Sequence, residues 1–148
     1  MIKVICVGKI KEKYFLEAIE EYKKRISKYS KLQIIELPDY NYDKKKTINE
    51  EGKNILNKIN DKDFVVTLEI SGKKLSSIEL SDFISKNISN NIVFVIGGSY
   101  GLSSEVLNRS NYSLSFSFLT FPHQLFRVIL LEQIYRSFKI INNENYHK

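Results

Sequence analysis

Five short apolar runs alternate along the chain with segments whose apolar residues recur every three or four positions. The runs are Ile2–Val7, Leu32–Leu37, Phe64–Ile70, Ile92–Ile96 and Tyr112–Phe118. Runs of this length read as strands, and the spaced segments as amphipathic helices. Phe15, Ala18, Ile19, Tyr22, Ile26 and Tyr29 form one helix face; Ile48, Ile55, Leu56 and Ile59 form a second, weakened by Gly52. Ser76 and Glu79 make a capping box ahead of Leu80, Phe83, Ile84 and Ile88. Ser103 is placed to cap a short helix through Arg109, and Pro122 opens a long one running to about Ile141. Pro38 ends the second strand and the polar Asp39–Lys46 reads as a solvated loop, while Ser71-Gly72 reads as a turn ending the third. Such alternation predicts an α/β fold, a mainly parallel sheet with helices on both faces. At 148 residues, with no internal repeat or linker, residues 1–148 are expected to form one domain.

Several function classes fall away. A single cysteine, Cys6, permits no internal disulfide, and its place in an apolar strand suits a buried hydrophobe better than a reactive thiol. No signal peptide and no membrane span is recognisable, so a cytoplasmic protein is expected. The Gly97-Gly98-Ser99-Tyr100-Gly101 segment has neither dinucleotide-binding nor P-loop spacing. No metal-ligand cluster and no nucleophile elbow is present, so no metal is expected. Ser113, Ser115 and Ser117 read as the exposed side of the fifth strand. The net charge of +6 is uneven: +5 over residues 1–31, −1 over 32–96 and +2 over 97–148. A basic excess at both ends suits a polyanionic partner.

The last helix carries apolar residues around nearly its whole circumference, with Glu132, Arg136 and Lys139 on one narrow polar strip. Such a helix requires burial on all sides. Either it lies at the centre of a monomer or a second subunit covers it. The second reading, a homodimer with Leu130, Leu131 and Ile134 at the interface, is favoured because symmetric dimers are the commonest oligomers. In open parallel sheets ligands bind beyond the carboxyl ends of the strands. Here that region holds Leu68–Gly72, Gly97–Gly101 and Leu119–His123. His123, opening the helix, can accept a proton or a hydrogen bond or merely satisfy the helix end. Arg127 lies one turn on and is costly to bury unpaired, so it requires an anionic or carbonyl-rich ligand or an internal carboxylate. Tyr146 and His147 lie in a terminal segment that is either frayed or free to stack on a base.

Three segments together resemble one family: Phe94–Leu102, Leu114–Gln124 with its Thr120-Phe121-Pro122-His123, and Arg127–Lys139 with the ending Tyr146-His147-Lys148. Val7-Gly8-Lys9 and Val66–Ile70 match as well. The chain resembles, over essentially its whole length, the RlmH family of SPOUT-type methyltransferases. That resemblance implies S-adenosylmethionine as methyl donor and N3 of a pseudouridine in helix 69 of 23S ribosomal RNA as target, within the ribosome. It implies a C-terminal trefoil knot and active sites at a homodimer interface. It places donor contacts on Leu68, Gly97, Phe116, Ser117, Phe118, Leu119, Thr120 and Phe121. His123, Arg127, Tyr146 and His147 are the candidates around the target base. Another RNA substrate, such as transfer RNA, and a non-catalytic ribosome-binding factor of the same fold are the rival readings.

Overall fold

A computed structural model describes all of residues 1–148. The order of elements is β1 (Ile2–Val7), α1 (Lys13–Ile26), β2 (Leu32–Leu37), α2 (Lys44–Asn57), β3 (Phe64–Lys74), α3 (Ser77–Asn87), β4 (Ile92–Ile96), α4 (Ser104–Arg109), β5 (Tyr112–Ser115) and α5 (His123–Ile141). The strands form one sheet in the order β2-β1-β4-β3-β5, and every neighbouring pair is parallel. Side chains alternate across each strand, which divides the core in two. Val4, Cys6, Val66 and Phe94 face α1, α3 and α5, whereas Ile5, Val7, Val65, Val93 and Val95 face α2 and α4. The expected capping box is formed: Glu79 N–H donates to Ser76 Oγ and Ser76 N–H to Glu79 Oε1. Ser103 likewise caps α4 through Val106 N–H.

Several boundaries differ from the sequence pattern, each for a local reason. β3 runs on through Ser71-Gly72 to Lys74. Leu68 and Lys73 both pair with Leu114, so the intervening residues form an irregularity within the strand and do not end it. A Cβ at Gly72 would lie 2.7 Å from the Leu114 carbonyl carbon, so glycine permits this close approach. The Asp39–Lys46 loop is shorter than its lysines suggest, because Asp43 Oδ1 accepts from Lys46 N–H and starts α2 at Lys44. Gly52 sits buried inside α2 where a Cβ would come within 2.9 Å of Ser103 Cβ. Its low helix propensity is thus offset by the close packing of α2 on the start of α4. β5 stops at Ser115, short of Phe116 and Phe118. Ser115 is buried, not exposed as the alternation suggested, and its Oγ donates to Ser117 O, while Ser117 Oγ accepts from Leu119 N–H. These local bonds turn the chain out of the ladder.

α5 answers part of the alternative posed by its all-round apolar surface. Leu130, Leu131 and Ile134 are fully buried within this one chain, packed with α1, α3 and the sheet. They are core residues, not interface residues as expected from sequence. At ~1.5–3 kcal/mol for each large apolar side chain buried, the helix is a main support of this half of the core. The chain's own fold therefore accounts for these three positions, while Leu125 is 36 % exposed and Phe126, Val128 and Ile129 are only partly covered.

Candidate functional site

All five strands run the same way, so the segments that follow them gather at one edge of the sheet. The order of connections singles out one place on that edge. α1 and α3, which follow β1 and β3, pack on one face, whereas α4, which follows β4, packs on the other. β4 lies between β1 and β3, so the chain leaves neighbouring strands towards opposite faces and opens a crevice at the end of β4. Gly97 follows β4 directly. Leu68 lies near the end of the ladder on the adjacent β3, and Phe116 follows β5 on β3's other side. The topology thus brings Leu68, Gly97 and the 116–121 segment to one edge.

Gly97 is buried, and the Gly97–Gly101 segment closes as a tight turn in which Gly101 N–H donates to Gly98 O. Gly101 has φ +87°, open to glycine without strain. A Cβ on Gly97 would first meet Leu102 Cδ2 at 2.8 Å and the Gly101 carbonyl carbon at 3.1 Å, so the first need for glycine there is the turn itself. Phe116 and Phe121 flank Phe126 of α5, with ring centroids 5.1 and 5.9 Å away. Phe118, Leu119 and Thr120 stand outward, and Phe118 is 78 % exposed beneath the Lys74 ammonium. The main chain of 116–121 makes no backbone–backbone hydrogen bond. Apart from Ser117 O and Leu119 N–H, which meet the Ser115 and Ser117 hydroxyls, its donors and acceptors have no partner within the chain and can meet a polar heterocycle beside the apolar surface of Leu68 and Phe116. The Ser117 hydroxyl, by contrast, is committed to Leu119 N–H. A cleft of about 520 Å³ lies elsewhere, between α2 and α4, and only Leu56 of its lining is apolar. Its three lysines face three acids, and it touches none of these residues. The edge beside Gly97 is the better candidate because both the topology and the free main chain point there.

The four residues placed around a target base separate into two groups. His123 is exposed at the first position of α5, and its imidazole makes no hydrogen bond within the chain. Arg127, one turn on, is only 3 % exposed. Nη1 donates to Glu36 Oε2 at 2.5 Å and Nη2 to Gly8 O at 3.0 Å, while Nε has no partner. The internal carboxylate is therefore present, and Arg127 is committed to it. Neither α5's periodicity nor any spacing connects residue 127 with residue 36; the pair forms only when β2 lies beside β1 under the helix.

Tyr146 and His147 lie towards the other end of α5, and they are ordered, not frayed. Tyr146 packs edge-on against Tyr135 with centroids 4.9 Å apart, and its hydroxyl donates to Glu132 Oε1 at 3.1 Å. The Arg136 guanidinium stands 4.7 Å from the Tyr146 ring centre and also pairs with Glu132 at 2.5 Å. Burial first, then the Glu132 carboxylate, pushes the Tyr146 phenol up to about 12, so it stays a donor at neutral pH. Arg136 Nη1 lies 3.0 Å from His147 Nδ1. A guanidinium has no acceptor, so Nδ1 must accept this bond and any ring proton sits on Nε2. In this arrangement His147 has its Nε2–H to donate. Glu132 and Arg136 thus belong to this group; their i,i+4 spacing was the only sequence signal for them. From His123 to Glu132 and Arg136, which hold Tyr146 and His147, is nine to thirteen residues of helix, roughly 14–20 Å at ~1.5 Å per residue. Within one chain the two groups do not meet.

With this geometry in view, known proteins decide the family. The family model described as "Predicted SPOUT methyltransferase" matches residues 1–147. The chain belongs to the SPOUT methyltransferase family. It is 55 % identical, over 99 % of both chains, to the Clostridium botulinum (strain Alaska E43 / Type E3) protein named "Ribosomal RNA large subunit methyltransferase H". It is 53 % identical over 99 % of both chains to a Clostridium tetani protein of the same name. A Methanococcus vannielii protein with that name marked "putative" is 55 % identical over the same share. A solved structure of "a probable methylase family protein" from Haemophilus influenzae superposes with a TM-score of 0.56 at 14 % identity, covering 96 % of this chain and 66 % of that one. That likeness concerns the fold. No helix of the chain is long and apolar enough to cross a membrane.

Proposed function

We propose that this SPOUT methyltransferase acts in the cytoplasm as a homodimer. Its reaction is transfer of a methyl group from S-adenosylmethionine to N3 of a pseudouridine in helix 69 of 23S ribosomal RNA, on the ribosome. The observation that carries this reading is identity above one half, over 99 % of both chains, to proteins named for large-subunit ribosomal RNA methylation. The crevice at the end of β4 suits the donor, with main-chain groups at 116–121 that are mostly unpaired, beside Leu68 and Phe116, and a glycine turn at Gly97. When bound, the donor would supply an electrophilic methyl group for direct displacement by N3, its sulfur leaving as a neutral thioether. The chain's own part is to orient that crevice towards the base, exclude water and handle the N3 proton. Exposed His123 is the histidine free to accept it, directly or through water. His147 Nε2–H is a donor suited to a carbonyl oxygen of the base, while Tyr146, its O–H held by Glu132, offers its ring and fixes the segment. Arg127 serves here as a support, because its charge is already paired with Glu36.

The separation of His123 from Tyr146 and His147 favours a shared site, in which one subunit supplies the first group and its partner the second. The test offers methyl-labelled S-adenosylmethionine to ribosomes lacking the modification, with and without the protein, and maps the label by mass. Label on N3 of a helix 69 pseudouridine is expected. Label elsewhere in ribosomal RNA, or in transfer RNA only, would replace the proposed target, and no label at all would remove the activity.

A further inference from the structure

The Gly8–Glu12 loop is held unusually firmly for an exposed segment. Gly8 N–H donates to Leu37 O at 2.7 Å, and Gly8 O accepts from Arg127 Nη2. Ile10 N–H donates to Glu36 Oε2 at 3.0 Å, and the Ile10 side chain is buried in the core. Lys11 and Glu12 N–H both donate to Gln124 Oε1, at 3.0 and 3.4 Å. Gly8 takes φ +97°, which turns the chain out of β1. Three side chains from other elements thus fix its main chain: Glu36 on β2, and Gln124 and Arg127 on α5. A buried arginine that the chemistry does not use, with its half-exposed carboxylate partner, is explained by this one task.

What the loop displays is charge. Ile10 points inward, and Lys9 and Lys11 on either side of it are exposed. Neither joins an ion pair, whereas nearby Lys13 is shared with Glu17 at 3.9 Å. The Gln124 bonds hold the loop next to His123, and β1 is the strand beside β4 whose end carries Gly97. Two unpaired ammonium groups on a rigid loop at the rim of the candidate site fit a polyanion that must be held in register, since phosphate contacts fix position while base contacts select. We propose that the Gly8–Glu12 loop is a phosphate-binding element for the strand carrying the target nucleotide, with Lys9 and Lys11 as its two contacts. This rests on the proposed reading of the protein as a ribosomal RNA methyltransferase.

The test uses the full chain with both residues changed, Lys9→Gln and Lys11→Gln, and ribosomes lacking the modification as substrate. Removing each lysine–phosphate pair should flatten the dependence of log affinity on log salt by about 0.7–0.9, and the two together should weaken affinity about tenfold near physiological salt. The expected result is a raised KM with a flatter salt slope, kcat nearly unchanged at saturating ribosomes, and an unchanged S-adenosylmethionine Kd by calorimetry. The pair Lys9→Arg and Lys11→Arg should restore the slope. Lys62→Gln, ahead of β3 at the opposite edge of the sheet, should leave it as it was. An unaltered KM and salt slope would overturn the proposal. A weakened donor Kd would also overturn it, assigning the lysines to the donor's carboxylate instead. Failure of the unsubstituted protein to methylate would instead strike the parent reading, and salt-dependent ribosome binding by filter retention would still judge the loop on its own.

Discussion

Glu51 shows how a single residue can be tuned by packing that sequence does not display. It is 3 % exposed on α2, with Oε2 accepting from Tyr40 N–H at 3.1 Å and Oε1 without a partner. A Cβ on Gly98 would lie 2.7 Å from that oxygen, so the carboxyl sits directly under the glycine turn. Burial pushes its pKa up, the Tyr40 N–H opposes this, and the Asp39 charge adds to the rise. A carboxyl raised in the folded state favours folding below its unfolded pKa and loses that contribution as pH rises through the folded one. Stability should therefore fall with rising pH in that window. Glu51→Gln, neutral throughout, should flatten this dependence and raise the urea midpoint at about pH 8 more than at about pH 5, near the unfolded value. Equal midpoint shifts at both pH values would contradict the burial argument. Its neighbour Gly52 supplies a test of opposite sign to propensity. Ala normally stabilises a helix interior by ~1 kcal/mol over Gly. Here the added methyl meets Ser103, and overpacking of this kind costs ~1–3 kcal/mol, so Gly52→Ala should give a net loss measurable by denaturant titration.

At the scale of elements, the legible features were those written in local order. Apolar runs located all five strands, and the caps at Ser76 and Ser103 fixed two helix starts. What stayed hidden depended on a neighbour distant in sequence. β3 crosses a glycine turn signal because β5 lies against it, and Arg127 is satisfied by Glu36, 91 residues away. The proposal that segment 116–121 meets the donor rests on family resemblance, since a main chain without backbone–backbone hydrogen bonds has no sequence signature. The terminal segment is the clearest case. Seven polar-rich residues after α5 read as either frayed or free to stack on a base, yet Tyr146 packs on Tyr135 and closes a network with Glu132, Arg136 and His147. Deleting Tyr146–Lys148 should accordingly cost about 1–2 kcal/mol, the range for a half-buried aromatic and its hydrogen bond. Donor affinity, which the proposed site sets at the Gly97 edge, should be nearly unchanged, while single-turnover methylation of unmodified ribosomes falls sharply. A melting temperature and rate equal to those of the full chain would return the segment to a passive role.

For the whole molecule, the question is whether one chain contains a complete site. α5 carries exposed His123 at its start and the Tyr146–His147 cluster against Glu132 and Arg136, roughly 14–20 Å away along a rigid axis. A symmetric dimer can bring the start of one α5 to the later turns of another, because a two-fold interface repeats each contact in both directions. The surface available for this is not Leu130, Leu131 and Ile134, which the chain's own core covers. Leu119 and Leu125 remain 69 % and 36 % exposed, beside Phe118 at the same edge. Light scattering should give twice the chain mass, and Leu125→Glu should shift it towards one. Co-expression of two inactive chains, His123→Ala and the Tyr146–Lys148 deletion, decides the shared site. In a mixed dimer, one of the two sites would combine intact His123 from the truncated chain with an intact terminal segment from the other. With random pairing, about one quarter of the normal sites are restored. If every site instead lies within a single chain, each carries one lesion and no pairing restores it. Methylation recovering towards a quarter of the unsubstituted rate therefore supports a site built by two subunits. Activity no higher than that of either inactive parent, with mixed dimers confirmed by native mass, would remove that arrangement.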